Sequence, residues 1–387
     1  MAKRNLLLTL MIAFAFIGAF FAVIFSTSSE EQAASAVTTI EKDLKSTHTD
    51  EQEASPSAAS KNAKALIGYI QDFRNPNSID YSNLTHAIFS FAHPTKNGDL
   101  LFSDETDLDN LKAMVGKAKE TGTRVMLAVG GWSHINGGET YDYFKTAISE
   151  PSSRAKLVDE IMNIVELEDL DGIDIDFEHP RSTEDASSLT AFTKELGEQL
   201  HSKEKELSIA VHSKINAVTG TESDYAVYEP ATFTYVDYVN IMAYDGQWDE
   251  GYHAENSAPY AFAEQVADYW SDFFDRHKLA KEKLVLGVPL YGQPADASSA
   301  PVSFATIIDQ NPSNAQNDII TMNGTIYYYN GIETMKKKTK LALEHGFGGM
   351  MIWEAGLDAP GSGSIVSAIH EELERNRTLA VKEAAVN

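Results

Sequence analysis

The chain has 387 residues, 43% apolar, 10% aromatic and 23% charged, a composition that belongs to folded globular proteins rather than disordered ones. Its net charge of −26 repels phosphate backbones and anionic lipid heads, which excludes nucleic-acid binding and a polybasic membrane patch. With no cysteine, a disulfide framework, a thiolate metal site and a cysteine nucleophile are excluded too.

Lys3 and Arg4 precede a mostly apolar run from Leu6 to Phe25, broken only by Thr9 and Gly18. Positive charge followed by such a run is what a secretion apparatus reads. The run exceeds the ~7–15 residues of a signal-peptide core and matches the ~20 of a membrane-crossing helix. Ala34-Ser35-Ala36 is a candidate cleavage site some way beyond it. Residues 1–25 therefore read as a signal peptide or a membrane anchor, and the rest of the chain is expected to be extracellular, secreted or tethered to the outer face of the membrane. Residues 26–61 are dominated by Ser, Ala, Glu, Thr and Gln and cannot bury enough apolar surface to offset ordering entropy, so they read as a flexible linker.

From residue 62 to 376 the pattern becomes regular. Apolar runs of strand length recur at Ala65–Ile70, Ala87–Phe91, Arg124–Val129, Gly172–Phe177, Leu207–Val211, Tyr235–Ala243, Leu284–Leu290 and Gly348–Trp353. Amphipathic stretches of helical period separate most of them, at Leu108–Glu120, Ser153–Leu167, Ser187–His201, Ala261–His277, Gly331–His345 and Ile365–Glu374. Strands that are apolar throughout and alternate with helices predict a parallel sheet with helices on its outer face. Eight of them predict a closed (β/α)8 TIM barrel of α/β class, with an open doubly wound sheet as the competing arrangement. The latter is disfavoured because no glycine-rich phosphate loop follows the first strand. Residues 377–387 read as a tail, fraying from about Arg375. A barrel puts its chemistry at the C-terminal ends of the strands.

The fourth run, Asp171-Gly172-Ile173-Asp174-Ile175-Asp176-Phe177-Glu178, carries the strongest chemical signal. Side chains alternate along a strand, so Asp174, Asp176 and Glu178 share one face, and Ile173, Ile175 and Phe177 the other. In a barrel the apolar set faces the helices and the acids face the interior. Three carboxyls stacked there cannot all ionise cheaply, so a proton is expected to remain near neutral pH, most naturally on the group at the strand end. A retained carboxylic acid suits protonation of a poor leaving group. A solvated outer face and a divalent-cation site are the alternatives. Strand acids flanked by strongly apolar neighbours argue against the first. The second lacks the glycine placement of a calcium loop and any accompanying histidine pair, so no metal and no cofactor are expected.

The segment DGIDIDFE resembles the signature of family 18 glycoside hydrolases, the chitinase family. Further motifs resemble that family in the right order: Gly68-Tyr69 in the first strand, Ala128-Val129-Gly130-Gly131-Trp132 after the third, and Met242-Ala243-Tyr244-Asp245 after the sixth. Gly287-Val288-Pro289-Leu290-Tyr291-Gly292 in the seventh and Trp353 at the end of the eighth complete the set. The resemblance implies a hydrolase of β-1,4-linked N-acetylglucosamine polymers. In it Glu178 is the general acid, Asp176 orients the substrate's own acetamido nucleophile, Asp174 shares charge with Asp176, and Tyr244 hydrogen-bonds the acetamide. Tyr69, Phe91, Trp132, Met242, Asp245, Tyr291 and Trp353 would line the substrate groove, with Trp353 as its floor and Trp248 a further candidate. Ala128 departs from the family's serine, which normally helps hold the first aspartate of the trio and leaves Tyr69 to do so here. His179 replaces a frequent aromatic residue and is expected to pack behind the groove. His212 is read as a loop or packing residue.

The stretch from Gln293 to Asn330 is too short for the large α+β insertion many relatives carry, so an open groove and endo-type cutting are expected. The partner is a polysaccharide containing N-acetylglucosamine, and a monomer is expected. N-glycan cores, peptidoglycan strands and non-catalytic sugar binding remain the alternatives.

Overall fold

A computed structural model describes residues 64–386. The signal or anchor at 1–25 and the linker at 26–61 lie outside the described residues. Among the described residues no helix is long and apolar enough to cross a membrane.

Eight parallel strands form the framework: β1 (Ala65–Gln71), β2 (His86–Pro94), β3 (Arg124–Gly130), β4 (Gly172–Asp176), β5 (Glu206–His212), β6 (Tyr238–Met242), β7 (Leu284–Pro289) and β8 (Gly349–Trp353). Each pairs with the next, and β1 pairs with both β2 and β8, so the sheet closes on itself. Eight helices are present among the described residues: α1 (Glu105–Thr121), α2 (Thr140–Ser149), α3 (Pro151–Leu167), α4 (Thr183–Ser202), α5 (Tyr260–His277), α6 (Phe304–Gln310), α7 (Ile332–Glu344) and α8 (Ile365–Val386). This is the expected (β/α)8 barrel.

Period-two alternation sorts the strand residues into two layers. Leu66, Ile70, Leu127, Val129, Ile173, Ile175 and Phe177 join the large apolar cluster that includes residues of the surrounding helices. Ala65, Ile67, Tyr69, Met126, Ala128, Val285 and Met351 form a second, smaller cluster inside the barrel. Asp174 and Asp176 are buried on that same inner face. Local signals set the helix ends. Asp104 and Asp107 form a reciprocal capping box on α1, and Ser182 accepts from the Asp185 N–H at the start of α4.

Three features depart from the sequence reading. Helix α2, between β3 and α3, is additional. The stretch from Gln293 to Asn330, to which the sequence reading assigned no elements, builds together with Tyr291 a small antiparallel sheet in the order Val302–Ser303, Tyr291–Pro294, Thr325–Tyr328, Ile319–Met322, with α6 beside it. At the C-terminus, where the sequence reads as a fraying tail, α8 continues to Val386. No glycine or proline follows Gly363, and the Leu-Ala-Val-Lys-Glu-Ala-Ala stretch is made largely of good helix formers.

Candidate active site

The C-terminal mouth of the barrel gathers the acids. On β4, Asp174 lies beside Ala128 of β3 on one side and Ser208 of β5 on the other. Ala128 offers it no hydroxyl. Instead the Asp174 carboxylate accepts from Tyr69 Oη at 2.7 Å, Ser208 Oγ at 2.5 Å and Asn240 Nδ2 at 3.1 Å. Asn240 also donates to Tyr69 Oη at 3.1 Å, tying β1, β4, β5 and β6 into one network. Burial pushes the Asp174 carboxyl up and the three donors pull it back, leaving it at about 6.

Tyr69 therefore does not hold Asp174 alone, and Ser208 and Asn240 were missed by the sequence reading. Each is a polar residue inside an otherwise apolar strand run, which is a readable signal, because such a residue must find a buried partner. Ser208→Ala is expected to raise the Asp174 pKa further and lower kcat about threefold to tenfold, with a shifted pH–rate profile as the check. An unchanged profile would remove Ser208 from the network's function.

Asp176 is also buried, and its Oδ1 has no hydrogen-bond partner among the described residues. Burial, followed by the charges of Glu178 and Asp174, raises its pKa well above the usual range. Glu178 lies at the lip of the barrel with its side chain 18% exposed. Burial first and then the charge of Asp245 push it up to about 8, against an opposing contribution from Arg181. Burial and mutual repulsion thus favour protonation of both Asp176 and Glu178, and Glu178 is the one of the two at the lip.

Backbone contacts fix this geometry. Gly130 has φ +129°, and a Cβ there would sit 2.0 Å from the Asp176 carbonyl oxygen, which the Gly131 N–H reaches at 2.9 Å. Gly287 leaves room for Tyr244: a Cβ would meet Ile241 O at 2.3 Å and the Tyr244 ring at 3.1 Å. Tyr244 is buried, with its hydroxyl 3.9 Å from Met351 Sδ. Burial and then the charges of Asp245, Asp176, Glu178 and Asp174 hold that phenol protonated, able to donate.

The aromatic platform is built from three strand ends. The Trp353 ring centroid lies 5.6 Å from Tyr69 and 5.9 Å from Phe91, stacked at 26° on the latter. Met242 packs against the inner cluster. Asp245 is exposed, and its Oδ1 accepts from Tyr291 Oη and from Gln247 Nε2. Trp132 is half-buried just past the end of β3, and its carbonyl accepts from the Thr140 N–H at 2.9 Å. Trp248 is 37% exposed beside Tyr252.

His179 is buried, packed against His212 and Tyr225, with Nε2 3.5 Å from Glu178 Oε2. Burial keeps it neutral. His212 is a packing residue: its N–H donates to Tyr228 Oη and its Nδ1 accepts from the Lys214 N–H. Arg181, which sequence reading did not single out, is held by Glu139 at 2.6 Å and lies 3.9 Å from the Tyr141 ring centroid. Among the described residues no group of three His, Asp or Glu side chains is arranged to hold a metal ion.

The C-terminal mouth of a closed barrel thus brings together a glutamate that retains its proton, a buried aspartate oxygen with no hydrogen-bond partner among the described residues, and a group of packed aromatic rings, a set of parts suited to acid–base chemistry. The model of the family described as "Glycosyl hydrolases family 18" matches residues 65–358, and the chain belongs to that family; it is a glycoside hydrolase. It is 21% identical over 354 residues to "Endochitinase 1" of Metarhizium robertsii, covering 77% of this chain and 81% of that one. To "Probable chitinase 10" of Drosophila melanogaster it is 27% identical over 240 residues, which is 56% of this chain but only 10% of that much longer protein. Among solved structures, the chitinase from the chitin utilization locus of Flavobacterium johnsoniae has a TM-score of 0.66 at 25% identity, covering 81% of this chain and 94% of that one. A chitinase-like agglutinin from Robinia pseudoacacia also has a TM-score of 0.66, at 18% identity with 79% and 99% covered, a likeness of fold alone.

Proposed function

We propose that this chain hydrolyses chitin or chitooligosaccharides, polymers of β-1,4-linked N-acetylglucosamine, by substrate-assisted retaining hydrolysis. The observation that carries this reading is the pairing of a partly exposed, proton-retaining Glu178 with a buried Asp176 oxygen that lacks a partner among the described residues. That oxygen suits an amide N–H of the substrate, and an acetamido group is the sugar substituent that supplies one. The substrate's acetamido oxygen then attacks the anomeric carbon while Glu178 passes its proton to the departing glycosidic oxygen. An oxazolinium ion results, its N–H on Asp176 and its oxygen within reach of the Tyr244 hydroxyl. The Glu178 carboxylate next takes a proton from water, which opens the ion and returns the original configuration.

The small size of the Gln293–Asn330 segment, with its short strands, supports endo-type cutting. Incubation with a long soluble chitin derivative is expected to release a ladder of fragments, with the β-anomer formed first by NMR. Disaccharides alone from one chain end would overturn the endo assignment, and an α-anomer first product would overturn the mechanism. The same incubation with an N-glycopeptide and with peptidoglycan separates the alternative substrates. Sugar binding without turnover on all three would identify a lectin. The apolar run Leu6–Phe25 further supports an extracellular barrel, released or tethered through residues 1–25.

A further inference from the structure

We propose that Arg74 and Glu354 are positioning residues that aim Trp353 at the sugar, an inference resting on the reading of Trp353 as the groove floor. Glu354 immediately follows Trp353 and is completely buried, unusual for a carboxylate at the rim of a cleft. Its Oε1 accepts from Arg74 Nε at 2.9 Å and also from Arg74 Nη2, and its Oε2 accepts from the Gly356 N–H at 3.0 Å. Arg74 stands on the turn that follows β1, where its own N–H bonds to Gln71 O at 2.9 Å. One side chain thus bolts the end of β1 to the end of β8, across 280 residues of sequence.

Trp353 is confined from both sides by this arrangement. Ahead of it Ile352 is fully buried, and the Trp353 carbonyl accepts from the Leu290 N–H at 2.8 Å. Behind it, Glu354 cannot rotate without breaking its bonds to Arg74 and Gly356. The room for the arginine is specific: a Cβ at Gly356 would sit 2.9 Å from Arg74 Cδ and Nε. A buried ion pair adds little net stability over a well-packed apolar pair, because desolvating both charges offsets their attraction. Directional bonds to a planar guanidinium, by contrast, hold an orientation that apolar packing leaves loose. What that orientation serves is the indole itself, which lies partly open beside Tyr69 and Phe91. Tyr69 in turn bonds Asp174, so the platform and the acids share one rigid frame.

The test uses the full chain and three variants: Glu354→Gln, Arg74→Lys, and the double change Arg74→Met with Glu354→Leu, which fills the space with apolar groups. Steady-state kinetics on a fluorogenic N-acetylchitooligosaccharide are expected to show KM raised about fivefold to twentyfold, with kcat within about threefold. The apolar double variant is expected to melt within a few degrees of the wild type and yet keep the raised KM. Wild-type KM in that variant, or loss of folding in all three, would mean that the pair serves only the fold and would overturn the proposal. Trp353→Ala is the control for the underlying reading. Unchanged KM there removes Trp353 from the groove, whereas a raised KM there beside unchanged KM in the ion-pair variants refutes the positioning role alone.

Discussion

Glu178→Gln is expected to lose at least ~10³-fold in kcat while still binding chitooligosaccharides, measured by turnover and by titration with the trisaccharide. The amide preserves the side chain's shape and its place at the lip of the barrel but has no proton to give. Wild-type activity is expected to fall as pH rises through about 8, where burial and the Asp245 charge set the Glu178 ionisation. Turnover equal to that of the wild type would remove Glu178 from the mechanism.

The same substitution carries a stability signature of opposite sign. The Glu178 carboxyl is raised from 4.5 to about 8 by folding, so between those values the folded state binds more protons than the unfolded one. Stability from this group is present below about 4.5 and is lost as pH rises through about 8. Glutamine has no such dependence. The Glu178→Gln variant is therefore expected to melt about 2 °C or more above the wild type at pH 8, with the gap closing toward pH 5. A variant that melts below the wild type at pH 8 would contradict the buried, proton-retaining environment.

Asp176→Asn is expected to lower kcat by about 10²-fold or more while leaving KM within a few-fold. An asparagine can still offer an oxygen to the substrate's amide N–H, so ground-state binding survives. What disappears is the ability of this carboxyl, raised toward its protonated form in the resting site, to give up a proton and face as an anion the cation that forms when the acetamide closes on the anomeric carbon. In a site withdrawn from water that charge acts with little screening, which is why the loss falls on the transition state. A rise in KM with kcat unchanged would reassign Asp176 to simple substrate binding.

Much of this molecule is legible in its sequence. The eight strand runs are read at their correct places because a strand buried on both faces has to be apolar throughout. The shared direction of Asp174, Asp176 and Glu178 follows from the two-residue period, and their apolar alternates decide which face turns inward. Helix α2 escapes because only Thr140, Phe144, Ala147 and Ile148 of its ten residues are buried, too short a stripe to register as a period. The small sheet escapes for a related reason: its strands are two to four residues long, below the length at which alternation can be recognised.

The sequence by itself thus determined the barrel, the inward acids and the aromatic residues at the strand ends, all of which depend on patterns within about ten neighbouring residues. Only the tertiary structure decided what surrounds those acids. Asp174 is held by Ser208, Asn240 and Tyr69, which lie 34, 66 and 105 residues away. Among the described residues Asp176 is left with an unpaired oxygen, and Trp353 is backed by an ion pair from Glu354 to Arg74, 280 residues away in sequence but just past the neighbouring strand's end. Local periodicity says which way a side chain points; hydrogen bonds and the loss of water around a carboxyl depend on which strands close the barrel beside it, and that is settled only when the whole chain has folded.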